Sequence, residues 1–118
     1  MSDRELLELA AKAAGLKIVL GMNDTDAQVL KPTAFYLRNA AGVRGEWNPL
    51  TDDGAALRLA VKLELDIFFN DGDTDVLNVS EGGGDPYART RRAIVRAAAE
   101  LSRAEAASNE NSQRGSEA

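Results

Sequence analysis

The chain has 118 residues, 44% of them hydrophobic and 28% charged, which suits one compact domain and leaves no room for two of ordinary size. It contains no cysteine and no histidine, so disulfides, thiolate nucleophiles, zinc–thiolate sites and the usual neutral-pH general base are excluded. Apolar runs extend only a few residues, where a spanning helix needs about 20. Met1-Ser2-Asp3-Arg4-Glu5 lacks the basic and then apolar segments of a signal peptide, so a cytoplasmic location is expected.

The net charge of −5 is unevenly laid out: +1 over residues 1–45, −8 over 46–85, +4 over 86–103 and −2 over 104–118. A general nucleic-acid binder shows a dominant basic surface, because phosphate neutralisation supplies most of its affinity. Here only one stretch is basic.

Ser2 and Glu5 have the spacing of a capping box. Leu6, Leu9, Ala10, Ala13 and Ala14 then recur at helical intervals before Gly15, which predicts a first helix over 3–14. In Leu16–Met22 the even positions are apolar, as in a half-buried strand. Asn23–Thr33 reads as a loop; Ala34–Arg38 and Val43–Trp47, separated by Asn39-Ala40-Ala41-Gly42, read as a hairpin. Asn48-Pro49 marks a boundary, with Thr51 as a cap and Asp52 and Asp53 at the positive end of a second helix running from about Asp52 to Leu63. That helix is expected to bury Leu57, Ala60 and Val61.

Leu65–Phe69 and Asp75–Val79 flank Asn70-Asp71-Gly72-Asp73 and predict a second hairpin with an acidic tip. Asp85-Pro86 caps and starts a third helix whose apolar side is Tyr87, Ile94, Ala98 and Leu101. From Ala104 the periodicity fades, and residues 104–118 are expected to form a disordered tail beyond one domain over 1–103. The expectation is an α+β fold in α-β-β-α-β-β-α order: three helices packed on a small, mostly antiparallel sheet as a layered α/β/α sandwich.

Three segments together carry a resemblance: Trp47-Asn48-Pro49-Leu50, Ala56-Leu57-Arg58-Leu59-Ala60-Val61, and the run from Asp85-Pro86-Tyr87 to Ala97-Ala98-Ala99. With the helix at Glu5–Ala10, they resemble small tailed-phage and prophage proteins of the phage α-β-α (ABA) sandwich type. The likeness covers most of residues 3–103, without the Asn23–Thr33 loop and the tail. It implies a phage or prophage origin and a layered fold, and it brings no catalytic residues with it.

Arg89, Arg92, Arg96 and Arg103 follow at offsets of three, four and seven, so they share one narrow helical stripe. Guanidinium groups so arranged suit phosphate, RNA or an acidic protein, and a solvated helix face is the bland alternative. Trp47, the single tryptophan, is either an interface anchor or part of the core. Asp71, Asp73 and Asp75 begin like a calcium loop, but Val76 stands where its glycine belongs and Gly82 where its glutamate belongs. Glu81-Gly82-Gly83-Gly84-Asp85 could cradle an anion at a helix start, yet it has no lysine and is flanked by carboxylates. Asp52/Asp53 and Glu64/Asp66 are explained by dipole compensation and solvation.

The function these features point to is that of a non-enzymatic phage or prophage accessory protein binding a host or phage protein, with no cofactor and no metal. Two alternatives stand beside it: a nucleic-acid-associated protein using the arginine stripe, with Trp47 stacking on a base, and an acidic decoy that inhibits a host defence factor.

Overall fold

Ser2 accepts a hydrogen bond from the Glu5 backbone N–H at 3.2 Å and opens helix α1, Asp3–Ala13, where the capping spacing places it. In the computed structural model, which describes residues 1–23, 30–40 and 42–117 and side chains for these except Arg44 and 109–117, α1 ends at a left-handed Gly15. Its buried side is Leu6, Leu7, Ala10 and Ala11, displaced by about one position from the expected one, and Leu9 is only half-buried.

Strands β1 (Ile18–Leu20), β2 (Phe35–Asn39) and β3 (Gly42–Glu46) follow and form one antiparallel sheet in that order. β1 falls within its expected run, whereas β2 and β3 each reach one residue into the expected turn, through Asn39 and Gly42, which pair with each other. Most of the expected Asn23–Thr33 loop, with its acidic Asp24 and Asp26, lies outside the described residues. Trp47 extends β3, its N–H donating to the Phe35 carbonyl at 2.8 Å. The chain then turns at Asn48-Pro49: the Asn48 carbonyl accepts from Thr51 and Asp52 N–H groups, and its Oδ1 accepts from the Leu50 N–H. The cap of helix α2 (Asp53–Lys62) is Asp52, bonded to the Gly54 N–H at 3.1 Å. Thr51, expected as the cap, sends its hydroxyl back to the Asn48 carbonyl instead.

Helix α2 buries Ala55, Ala56, Leu59 and Ala60, not the expected Leu57 and Val61, which are exposed. The small residues let α2 lie close to its neighbours, and that preference turns the larger side chains outward. Strands β4 (Ile67–Asn70), β5 (Asp73–Val76) and β6 (Val79–Gly82) form a second antiparallel sheet. The expected strand Asp75–Val79 is thus two strands. Val76 and Val79 pair and are both buried, so the chain must reverse over Leu77-Asn78, which forces Leu77 to a left-handed φ of +52°. Leucine there gives no turn signal in the sequence. The α+β class and element order hold, with the strands divided between two three-stranded sheets.

Helix α3, Pro86–Glu117, packs against α1, α2, β5 and β6. Three neighbouring stripes of its surface are each anchored by a polar contact. Arg92 reaches Asp3 at 3.3 Å and the buried Ser102 hydroxyl donates to the Leu9 carbonyl at 2.7 Å, so Arg92, Val95, Ala99 and Ser102 form the stripe against α1. The hydroxyls of Thr90 and Thr74 on β5 are 3.0 Å apart, which directs Thr90, Ala93 and Ala97 to the second sheet. Arg91 reaches Leu50 and Asp53, so Arg91, Ile94 and Ala98 face α2. Each stripe repeats at offsets of three and four, the helical surface period. The expected apolar side is the α2 stripe alone. Its ends, Tyr87 and Leu101, are exposed, whereas Ala93, Val95, Ala97 and Ala99 on the other two stripes are buried. Over 93–99 the helix is buried on three stripes, and the side carrying Arg96, Glu100 and Arg103 faces water.

The same helix continues through 104–117, the segment expected to be disordered. Ala104, Glu105, Ala106 and Ala107 are strong helix formers, and they extend an existing helix with no new nucleation step. From Arg103 to Ser108 these turns are exposed.

Enlarging a residue between α3 and α1 should therefore force the helices apart. Ala99→Leu is expected to destabilise the protein by about 1–3 kcal/mol in urea unfolding, whereas Ala106→Leu on the exposed turns should stay within about 0.5 kcal/mol of the parent. Equal effects would show that the close α1–α3 approach does not hold the fold.

Candidate functional site

Because α3 sits beneath β5 and β6 and α2 lies at its side, β4 is left overhanging. The strand alternation turns Ile67 and Phe69 to the same face as the buried Thr74 and Val76, their partners on β5. Between that overhang, α2 and the start of α3 lies a groove of about 370 Å³ lined by Ala56, Leu57, Ile67, Phe69, Tyr87 and Ile94, with Asp53, Pro86, Thr90 and Arg91 completing it. Its large apolar members stand open to water: Leu57 is 60% exposed, Tyr87 67% and Phe69 72%. A contiguous exposed apolar surface of this kind marks a binding site far more often than scattered single residues do.

Arg91, Asp53 and Thr90 of the groove are already engaged. Arg91, whose side chain is only 18% exposed, donates from Nε to the Leu50 carbonyl at 2.8 Å and from Nη1 to Asp53 Oδ1 at 2.6 Å. Thr90 is bonded to Thr74. What remains presented is mostly hydrocarbon and aromatic surface, which can bury apolar side chains, together with the exposed Tyr87 hydroxyl.

The arginines singled out by spacing are spread over several partners. Arg96 pairs with Glu81 at 2.5 Å, Arg92 with Asp3 at 3.3 Å and Arg103 with Glu100 at 3.1 Å. Arg89 is half-buried, and its Nε makes no hydrogen bond among the described residues. Three of the four cations are thus matched by carboxylates, two of them in other elements, and the stripe works as a fastening between α3, α1 and β6. Trp47 is 4% exposed and belongs to the central hydrophobic cluster with Leu6, Leu7 and Phe35; it is a core residue, not a surface anchor.

Asp71, Asp73 and Asp75 lie along a turn and a strand, and no group of three acidic side chains among the described residues is placed to hold a metal ion. In the glycine loop, Asp85 Oδ2 accepts the Ala88 N–H at 3.1 Å, so the helix start is capped by the protein's own carboxylate. Asp52 and Asp53 cap and pair, and Glu64 and Asp66 are exposed.

Leu57, Phe69, Tyr87 and Arg91 were not singled out as a site from the sequence. The legible signal was an excess of apolar surface: α2 carries Leu57 and Val61 on a different side from its alanines, and β4 carries apolar residues on both faces. Arg91 shares its stripe with Ile94 and Ala98, where a cation must either reach water or be clamped.

Arg91→Ala is expected to lower stability by about 1.5–3 kcal/mol, the range for hydrogen bonds to charged groups, and Arg103→Ala to change it by no more than about 0.5 kcal/mol. Trp47→Ala should destabilise by about 3–5 kcal/mol in urea unfolding; a near-neutral result would return Trp47 to the surface. No protein-family model, curated protein or solved structure matches this chain.

Proposed function

We propose that the protein is a non-enzymatic binding module that docks another protein in the groove between α2, β4 and α3. The observation that carries this reading is the exposure of Leu57, Phe69 and Tyr87 around one cavity. Burying such side chains is worth roughly 1.5–3 kcal/mol each, and aromatic residues at the centre of an interface are frequent hot spots. A small-molecule site would fix its ligand with a few convergent polar groups; here Arg91 and Asp53 are bonded to each other and Thr90 to Thr74, which leaves the Tyr87 hydroxyl alone. The resemblance noted above supplies the setting: a phage or prophage accessory protein acting on a host or phage protein.

The arginine stripe gives less support to nucleic-acid binding, because Arg92, Arg96 and Arg103 are each opposed by a carboxylate. Releasing them would cost folded-state contacts that the phosphates would have to replace.

Affinity capture from a bacterial host lysate tests the reading. Phe69→Ser and Leu57→Ser are expected to reduce recovery of the bound protein at least about tenfold, with α-helical circular dichroism unchanged, while Arg103→Ala retains it. Capture that survives both groove variants would overturn the proposal.

A further inference from the structure

We infer that the occupant of the groove is an extended, basic segment of another protein that adds to β4 as a fourth strand of its sheet. This rests on the groove being a docking site and names what docks there. All four residues of β4 pair with β5, and its other edge has no strand partner among the described residues. An open edge offers a row of backbone donors and acceptors for main-chain pairing. A strand laid there would extend the sheet over the groove, so its inward side chains would descend beside Ile67 and Phe69 toward Leu57 and Tyr87. The backbone bonds would supply orientation that the few polar groups of the groove do not.

The charge around this edge selects the partner. β4 has neither the proline nor the lysine that commonly blocks such an edge; it is guarded by carboxylates instead. Asp66 precedes it, Asp71 and Asp73 lie in and after its turn, and Asp75 stands opposite Phe68 on the outer face. None of the four forms a salt bridge among the described residues. The cation that lines the groove, Arg91, is already paired with Asp53. A second copy of this edge would bring two acidic hairpins together and be repelled, and an anionic lipid surface would be repelled likewise. A strand with lysine or arginine at its outward positions would meet the carboxylates and the face of the exposed Phe68, which favours a cation. The recognised pattern is therefore alternating: apolar inward, basic outward.

Synthetic peptides of roughly seven residues alternating valine and lysine test this by fluorescence anisotropy on the full chain. Binding is expected, with weaker affinity at higher salt. It should fall at least about tenfold when lysine is replaced by glutamate, in Phe69→Ser, and when alternate backbone nitrogens are methylated in one register but not the other. Hydrogen exchange at residues 67–70 should slow on binding. Equal affinity for both methylated registers, equal affinity for the glutamate peptide, or no binding of any peptide would overturn the inference. So would self-association of the free chain that Phe69→Ser abolishes in sedimentation, since a second copy would then hold the edge. If lysate capture still depends on Phe69 and Leu57 in any of these cases, only the identity of the occupant fails; if capture ignores them, the docking reading itself fails.

Discussion

The close packing of α3 against three neighbours at once is the constraint on which the rest of the structure depends. Ala93, Ala97, Ala98 and Ala99 are each almost fully buried, and alanine lets a neighbouring backbone approach a helix without a long side chain between them. Helix α1 exploits this with its own Ala10 and Ala11, and the Ser102–Leu9 bond is short because the two helices are near. Since small side chains contribute little hydrophobic area each, stability comes from number and density of contacts. The larger core residues, Trp47, Leu59, Phe35 and Ile94, fill the space where the layers diverge.

One consequence is that the large apolar residues are not all needed inside. Helix α2 approaches α3 through alanines and Leu59, which turns Leu57 outward. The second sheet covers α3 with β5 and β6, which leaves β4 projecting past its support. The groove is therefore a product of how the layers meet, and it is bounded by a fixed element on each side. The Arg91 clamp onto Leu50 and Asp53 holds the start of α2 to α3, and so sets the width of the groove from below.

Electrostatics divides the molecule in a matching way. Among the described residues, Arg91, Arg92 and Arg96 bind α3 to Asp53, Asp3 and Glu81, Arg103 pairs with Glu100 on α3 itself, and Arg89 forms no salt bridge. Among the described residues the hairpin carboxylates Asp71, Asp73 and Asp75 form no salt bridge, Asp75 accepting a hydrogen bond from the Asn70 side chain, so negative charge is displayed beside the open strand. Exposed pairs contribute little stability individually. The Arg91 and Arg96 pairs differ because one member of each is largely buried, and they fix the orientation of α3 relative to α2 and β6.

Sequence alone determined the local features: the Ser2 cap, the Asn48-Pro49 corner, the Asp85-Pro86 helix start, the approximate strands and the α+β class. Each depends on a few adjacent residues whose backbone preferences are strong. It did not mark where α3 ends, because fading hydrophobic periodicity says nothing about a helix already nucleated, and it missed the Leu77-Asn78 reversal, because pairing of Val76 with Val79 imposes that turn. Only the tertiary structure decided which side of α2 is buried, that Trp47 is core, that the arginine stripe is opposed by carboxylates, and that Leu57, Phe69 and Tyr87 surround one cavity. Alanine and threonine carry too weak a hydrophobic signal to announce a buried face. Which apolar residues are left outside depends on how many neighbours a helix acquires, a property of the assembled layers and not of any single segment.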